Sequence, residues 1–119
     1  MERRLQILCD GGVIDRDIHD GMLEVVRRLE SEWGIAVHNP QGEMAMTHMA
    51  NALMRCRRGQ EIAPIDDAVL LEATSDPCWP ELLAIHCALV AIFDVALHPN
   101  EEGYLLANLY GLWLEKHAA

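Results

Sequence analysis

Residues 15–33 read DRDIHDGMLEVVRRLESEW, and their apolar side chains recur with the period of an α-helix. Counted from the first of them, the apolar positions are i, i+4, i+7, i+8, i+11 and i+15, which form one stripe along a helix. The residues of this stripe are Ile18, Met22, Val25, Val26, Leu29 and Trp33. Asp15 is a suitable N-cap, and Gly34 is a suitable residue to follow the last turn. The segment therefore predicts an amphipathic helix that buries one face.

Glycine and proline residues divide the rest of the chain into further segments with the same helical period. These segments predict more helices, over residues 2–9, 42–58, 65–74, 78–94 and 100–117. Asn100 is expected to cap the last helix, with Glu101 and Glu102 as favourable charges in its first turn. The segment 78–94 is apolar on nearly every side, so we expect it to be the central buried helix. No segment alternates like a strand, and the predicted fold is all-α: a compact bundle of five to six helices in one domain over residues 1–119.

The negative net charge argues against nucleic acid as a binding partner. The chain has 119 residues, with 19 acidic and 9 basic side chains, and a formal net charge of −10. Proteins that bind nucleic acids usually present a basic face, so we expect no direct contact with nucleic acid. No segment has the roughly 18 apolar residues of a membrane span, and no apolar signal-peptide core follows the N-terminus. These features predict a cytoplasmic protein that does not contact a membrane.

Histidine and cysteine are spaced too widely for the common metal sites. The chain has 6 histidines, but no two lie within one helical turn, and Cys9, Cys56, Cys78 and Cys87 form no Cys-x-x-Cys pair. We therefore predict no metal ion and no cofactor, with the cysteines reduced. The chain also has no glycine-rich phosphate loop, no nucleophile motif and no paired catalytic carboxylates. The sequence does not indicate an enzyme.

One helical segment carries polar residues that could hold a phosphoryl group. In residues 43–55, EMAMTHMANALMR, His48 and Arg55 are seven positions apart, which puts them on nearly the same helix face and about 10 Å apart along the axis. Asn51 lies between them on that face. The imidazole could act as a nucleophile, and the guanidinium could stabilise the added charge. The same spacing also fits an ordinary polar stripe with a surface histidine, and spacing alone leaves both interpretations open.

Three segments of the chain resemble the phosphotransferase-system regulation domain (PRD). Residues 48–62, HMANALMRCRRGQEI, resemble its first motif, a helix with a histidine, an arginine seven positions later and a basic-glycine turn. Residues 79–85, WPELLAI, resemble its penultimate helix, and residues 97–109, LHPNEEGYLLANL, resemble the segment that enters its last helix. The resemblance covers about residues 14–117, with the motifs in the family order.

The resemblance implies a bacterial regulatory domain. In this family the domain is a five-helix bundle that forms dimers and accepts phosphoryl groups on histidine from the phosphocarrier HPr or from a sugar-specific EIIB component. Phosphorylation changes how the dimer or its partners associate, and so regulates transcription or antitermination through attached nucleic-acid-binding modules. We expect no such module here, because the resemblance to one PRD accounts for nearly the whole chain.

The family pattern assigns roles to particular positions of this chain. His48 matches the first phosphoacceptor and Arg55 its basic partner, so Arg55, together with Asn51 from the spacing, is predicted to stabilise the phosphate. Asn108 stands at the second phosphoacceptor position, where an amide cannot form a phosphoramidate, so we expect that site to be silent. Thr47 also departs from the pattern, since the family often has Asp there.

The charge of a phosphoryl group sets a further expectation. It would add roughly 1.5 to 2 negative charges at neutral pH. We expect the densest basic cluster, the arginines at 55, 57 and 58, to surround it, and we expect His48 to be at least partly exposed. The alternative is a non-phosphorylated module for dimerisation or protein interaction, which Asn108 and the expected lack of an attached module favour.

A homodimer is predicted from the apolar residues on two of the helices. The residues concerned are Leu109, Tyr110, Leu112 and Trp113 in the last helix, and Met44, Met46 and Met49 in the third. We do not expect a small bundle to bury both sets, and apolar patches left exposed usually mark interfaces. The expected partners are therefore a second copy of the chain and HPr or an EIIB component.

Overall fold

The computed structural model describes residues 1–118, which fold into six α-helices. Their bounds are α1 (Glu2–Asp10), α2 (Arg16–Glu32), α3 (Pro40–Arg57), α4 (Asp67–Ser75), α5 (Trp79–Val90) and α6 (Pro99–Lys116). No strand occurs within these 118 residues. The predicted all-α bundle of five to six helices is therefore confirmed. The largest difference in the bounds is at α5, which ends at Val90 instead of residue 94.

The predicted amphipathic helix is α2, and its apolar face belongs to the core. Five residues of the stripe are buried, namely Ile18, Met22, Val25, Val26 and Leu29, and Trp33 is half-buried. Gly34 has a φ of +63°, and the Ile35 N–H donates to the Leu29 carbonyl oxygen at 2.8 Å, which closes the helix end. Asp15 lies at the N-cap, but its carboxylate accepts from Arg57 instead of from the helix backbone.

α3 begins at a close backbone contact that excludes any side chain larger than hydrogen. The Asn39 side chain accepts from the Gly42 N–H at 2.7 Å, and Pro40 occupies the first turn. A Cβ atom at Gly42 would lie 2.2 Å from the Val37 carbonyl oxygen. The contact requires glycine and determines where α3 begins, shortly before the predicted start at residue 42.

α3 and α6 form the centre of the bundle. They pack against each other, α2 packs on α3, both α4 and α5 pack on α6, and α1 packs on α2. The prediction that residues 78–94 form the central buried helix is therefore wrong. α5 buries Leu82, Ile85 and Leu89 on one side, whereas Leu83 and Cys87 are exposed. Its apolar residues lie on nearly every side and define no preferred face, so the neighbouring helices determine which of them are buried.

The first turn of α6 is capped by His98, and the predicted capping by Asn100 is wrong. The Asn100 N–H donates to Nδ1 of His98 at 3.0 Å. The Asn100 side-chain amide donates instead to the Ile62 carbonyl oxygen at 3.0 Å. Asn100 therefore holds the connection between α3 and α4 against the start of α6.

The bundle buries most of the apolar residues that led us to predict a homodimer. Met46, Met49, Leu109, Tyr110 and Leu112 are buried, Trp113 is half-buried, and Met44 is exposed. They are buried because α3 and α6 pack together at the centre of the bundle. The expectation that these residues would leave apolar patches on the surface was therefore wrong. The homodimer remains a prediction, but these residues no longer support it.

Within residues 1–118, none of the helices combines the length and the apolar character needed to cross a membrane.

Candidate functional site

A surface pocket of about 310 Å³ lies between α3 and α6. α3 contributes positions i, i+4 and i+7, and α6 contributes positions i, i+3, i+4 and i+7, so each helix presents one face to the pocket. The lining residues are His48, Ala52, Arg55, Ile62, Glu101, Tyr104, Leu105 and Asn108. The pocket therefore brings together His48, Arg55 and Asn108, three of the residues singled out in the sequence.

His48 is exposed in the middle of α3, and its expected accessibility is confirmed. Its Nδ1 atom lies 3.5 Å from Nδ2 of Asn108, which faces it from α6. The preceding residue, Thr47, turns its hydroxyl onto its own helix, where Oγ1 donates to the Glu43 carbonyl oxygen at 2.8 Å. The side chain of Asn108 is therefore the polar group that meets the His48 ring.

The surroundings of His48 differ from those of most other histidines in the chain. Four of the others have a ring nitrogen within 2.7–3.5 Å of a carboxylate oxygen. The pairs are His19 with Asp20, His38 with Glu2 and Glu30, His86 with Glu102, and His98 with Glu61. His48 makes no such pair with any residue in the range 1–118, and its neighbour is a neutral amide.

Arg55 forms an ion pair with Glu101 through two hydrogen bonds. Nε of Arg55 donates to Oε2 of Glu101 at 2.7 Å, and Nη2 donates to Oε1 at 3.0 Å. The Glu101 side chain is 1% exposed, whereas that of Arg55 is 35% exposed. The hydrogen bonds to the carboxylate raise the pKa of Arg55. The predicted phosphate-stabilising cation is therefore present in the pocket, but a buried carboxylate already balances its charge.

Glu101 was not predicted as a site residue. Glu101 and Glu102 were predicted only as first-turn charges, and both do lie in the first turn of α6. The signal that identifies Glu101 is its spacing, because Glu101, Leu105 and Asn108 follow the i, i+4, i+7 pattern of one helix face. A carboxylate on a buried face needs a cationic partner, and Arg55 supplies it.

Asn51 is half-buried and does not line the pocket. Around the helix axis, position 51 lies about 60° from position 48, and position 52 lies about 40° away in the opposite direction. Position 55 lies about 20° from position 48, so it stays in the pocket. α6 packs on the side that carries Ala52, which leaves Asn51 beside the pocket and keeps it out of the lining.

The predicted cluster of arginines does not surround the pocket. Arg57 reaches toward α2, where it donates to Asp15 at 3.0 Å and to Asp17 at 2.6 and 2.7 Å. These hydrogen bonds raise the pKa of Arg57. Arg58 follows the end of α3 and is absent from the pocket lining. The expectation was wrong because successive residues of α3 point to different sides, so Arg55 is the arginine of the cluster that lines the pocket.

Metal-ligating side chains are dispersed in the part of the chain that the structure describes. There, no group of three or more His, Cys, Asp or Glu side chains is arranged to hold a metal ion. The four cysteines are free thiols. Burial and the nearby Asp76 carboxylate raise the pKa of the Cys78 thiol to about 11, so this thiol is protonated at neutral pH.

Comparison with known proteins identifies two relatives that align over most of their length. The chain is 53% identical over 114 residues to the "Uncharacterized protein YhfY" of Escherichia coli (strain K12), covering 96% of this chain and 95% of that protein. It is 31% identical over 107 residues to an "Uncharacterized protein" of Haemophilus influenzae, covering 87% of this chain and 86% of that protein. No family model and no solved structure matches the chain. The chain therefore belongs to the same protein family as YhfY of Escherichia coli.

Proposed function

We propose that this chain is a cytoplasmic regulatory protein of the PRD type, which accepts a phosphoryl group on His48 from HPr or an EIIB component. It regulates transcription or antitermination by associating with itself or with a partner protein, and it is not an enzyme. The observation that supports this function is the pocket between α3 and α6, in which exposed His48 faces Asn108 and shares a wall with Arg55.

The neighbours of His48 favour its role as a phosphoacceptor. A carboxylate beside an imidazole stabilises the protonated ring and repels an incoming phosphoryl group. Most other histidines of this chain have such a neighbour, whereas His48 meets the neutral amide of Asn108. A neutral imidazole can donate a nitrogen electron pair to phosphorus while the bond between phosphorus and the donor atom breaks.

Arg55 is the cation that stabilises the phosphorylated product. Its Nε and Nη2 atoms bond to Glu101, while Nη1 bonds to no residue in the described part of the chain and is available for a phosphoryl oxygen. Because Glu101 balances much of the arginine charge, the stabilisation of the phosphoryl group is partial. A phosphoryl group that is held only partially remains transferable, which suits a reversible signal.

Labelling with a phosphodonor tests the function. The chain is incubated with HPr, the enzyme that phosphorylates HPr, and radiolabelled phosphoenolpyruvate, and acid-labile label is measured on the protein. We expect label on the wild type and none on His48→Ala. Arg55→Ala should lower the rate or the stability of labelling without abolishing it. His117→Ala is the matched control, since His117 is another exposed histidine of the bundle and should not affect labelling.

The alternative function is a non-phosphorylated module for dimerisation or protein interaction. Two observations favour it: Arg55 is already paired with Glu101, and Asn108 replaces the second family phosphoacceptor. Absence of label from both HPr and an EIIB donor would replace the phosphoacceptor assignment with this function. Label that survives in His48→Ala would overturn the assignment to His48 and place the phosphoryl group on another residue. Light scattering at micromolar concentration distinguishes self-association from a 13.4 kDa monomer.

A further inference from the structure

We infer that Asn108 directs phosphorylation of His48 to Nε2, because its side-chain amide occupies Nδ1. The inference rests on the proposed function and adds the atom at which the phosphoryl group is attached. Nδ1 of His48 lies 3.5 Å from Nδ2 of Asn108, whereas Nε2 makes no hydrogen bond within residues 1–118. Asn108 touches the reacting ring without bonding to phosphorus, so its role is that of a positioning residue.

The chemistry of a neutral imidazole explains how the contact selects one nitrogen. One ring nitrogen carries the proton, and the other carries the electron pair that attacks phosphorus. When the Asn108 NH₂ group faces Nδ1, it donates to that electron pair, and the proton lies on Nε2. In that arrangement neither nitrogen of His48 is free to attack.

A half-turn of the amide produces the reactive arrangement. Oδ1 of Asn108 then accepts a hydrogen bond from the Nδ1 proton of His48, and the electron pair on Nε2 becomes free. The two ends of an amide have nearly the same shape, so the turn requires little repacking. Asn108 is half-buried and also lines a second pocket of about 220 Å³, which leaves space for the turn. The contact is long before reaction, as is common for catalytic hydrogen bonds in the absence of a reactant.

The transfer step balances with these groups. The Nε2 electron pair forms the bond to phosphorus, and the bond from phosphorus to the donor atom breaks with its electrons going to the donor. Nδ1 of His48 keeps its proton and its hydrogen bond to Oδ1 of Asn108. The positive charge that develops on the ring lies beside the negative phosphoryl oxygens and is lost when the Nδ1 proton later passes to water.

The experiment uses phosphoramidate as the phosphodonor, because this small molecule requires no protein partner. Wild type, Asn108→Leu and Asn108→Asp are labelled, and the phosphohistidine isomer at His48 is assigned by NMR. We expect the Nε2 isomer to predominate in the wild type. In Asn108→Leu the ratio of Nε2 to Nδ1 isomer should fall by about two- to ten-fold, the equivalent of one net hydrogen bond. Asn108→Asp retains an oxygen acceptor and should retain the Nε2 preference, while its negative charge beside the ring should lower the total amount of label.

Exposed His117 serves as the internal control and should show one isomer ratio in all three proteins. A wild type labelled mainly at Nδ1 of His48, or an unchanged ratio in Asn108→Leu, would overturn the inference. Labelling of His117 without labelling of His48 would overturn both the inference and the phosphoacceptor assignment. If HPr and EIIB donors give no label but phosphoramidate gives the expected isomers, the proposed donors are wrong and the role of Asn108 stands. Circular dichroism verifies that each variant retains its helix content.

Discussion

His38 and His48 are both exposed histidines, but the groups that surround them differ in charge. Nδ1 of His38 lies 2.8 Å from Glu30 and Nε2 lies 2.7 Å from Glu2. Hydrogen bonds to these carboxylates raise the pKa of His38, and the histidine in turn lowers the pKa of Glu2. The pKa of Glu30 is lowered first by the hydrogen bond from the Val37 N–H and then by His38. Nδ1 of His48 meets instead the uncharged amide of Asn108.

The comparison indicates that exposure alone does not identify a reactive histidine. His38 links α1, α2 and the loop before α3, and its carboxylate partners favour the protonated ring, which has no electron pair to donate. His48 meets a neutral amide, which leaves the proposed nucleophile without a carboxylate that would hold the ring protonated. The charged groups of the pocket, Arg55 and Glu101, neutralise each other and do not contact the His48 ring through a hydrogen bond. If these assignments are correct, substitutions of Arg55, His38 and His48 should differ in their effect on stability.

Breaking the ion pair between Arg55 and Glu101 should have the largest effect on stability. Arg55→Ala leaves the buried Glu101 carboxylate without its partner, so we expect the free energy of unfolding to fall by about 3 kcal/mol. This is the low end for a broken buried pair, because water reaches the arginine side of the pocket. Urea denaturation measures the change, and Arg58→Ala, at the end of the same helix, should change stability by less than about 0.5 kcal/mol.

A double variant distinguishes two causes of the lost stability: the unpaired Glu101 carboxylate and the lost packing of the Arg55 side chain. Arg55→Met combined with Glu101→Leu removes both charges and should recover most of the stability that Arg55→Ala loses. If the double variant is no more stable than Arg55→Ala, the loss comes from packing and not from the unpaired carboxylate.

Removing His38, which bonds to Glu2 of α1 and Glu30 of α2, should have an intermediate effect on stability. His38→Ala loses the hydrogen bonds to Glu2 and Glu30, and we expect the free energy of unfolding at pH 6 to fall by about 1 kcal/mol because these groups are largely solvated. Thermal denaturation at fixed pH measures the change. A loss equal to that of Arg55→Ala would contradict the distinction between a solvated and a buried pair.

The stabilising effect of His38 should depend on pH. Its pKa is raised by folding, so its contribution is present in full below its ordinary pKa of 6.5 and is lost as the pH rises through the raised value. The pKa values of Glu2 and Glu30 are lowered, so their contribution is present above the ordinary value of 4.5 and is lost as the pH falls. The difference in stability between wild type and His38→Ala should therefore be largest between these two ordinary values. A difference that grows steadily toward alkaline pH would contradict this assignment.

Substitution of His48 should have the smallest effect on stability. His48 is exposed and its single polar contact is long, so His48→Ala should change the free energy of unfolding by about 0.5 kcal/mol or less. Urea denaturation of this variant and of His38→Ala under the same conditions makes the comparison direct. A large loss in His48→Ala would indicate a structural role for the imidazole.

The sequence was sufficient to predict features that depend on local spacing. The apolar stripe of α2 and the shared face of His48 and Arg55 both follow from the helical period. The contacts across the pocket do not, because Arg55 and Glu101 are 46 residues apart and His48 and Asn108 are 60 residues apart. These pairs meet only because α3 packs on α6.

Two predictions that the structure contradicts, for α5 and for Asn100, have the same physical origin. α5 was predicted to be central because it is apolar on nearly every side, yet burial depends on which helices it meets. Asn100 is a good capping residue by type, but its side chain bonds to the Ile62 carbonyl oxygen and His98 caps the helix. In both cases a tertiary contact outweighs the local preference of the residue.

The close contact between Gly42 and Val37 has a consequence for insertions and deletions during evolution of the family. Because the contact fixes the first turn of α3, the length of chain between residue 42 and His48 sets the direction in which the imidazole points. One residue inserted there would rotate the rest of the helix by about 100° and turn His48 and Arg55 away from α6. Relatives that keep the pocket should therefore vary in length before Val37 or after α3, and keep the interval from Gly42 to Arg55 constant.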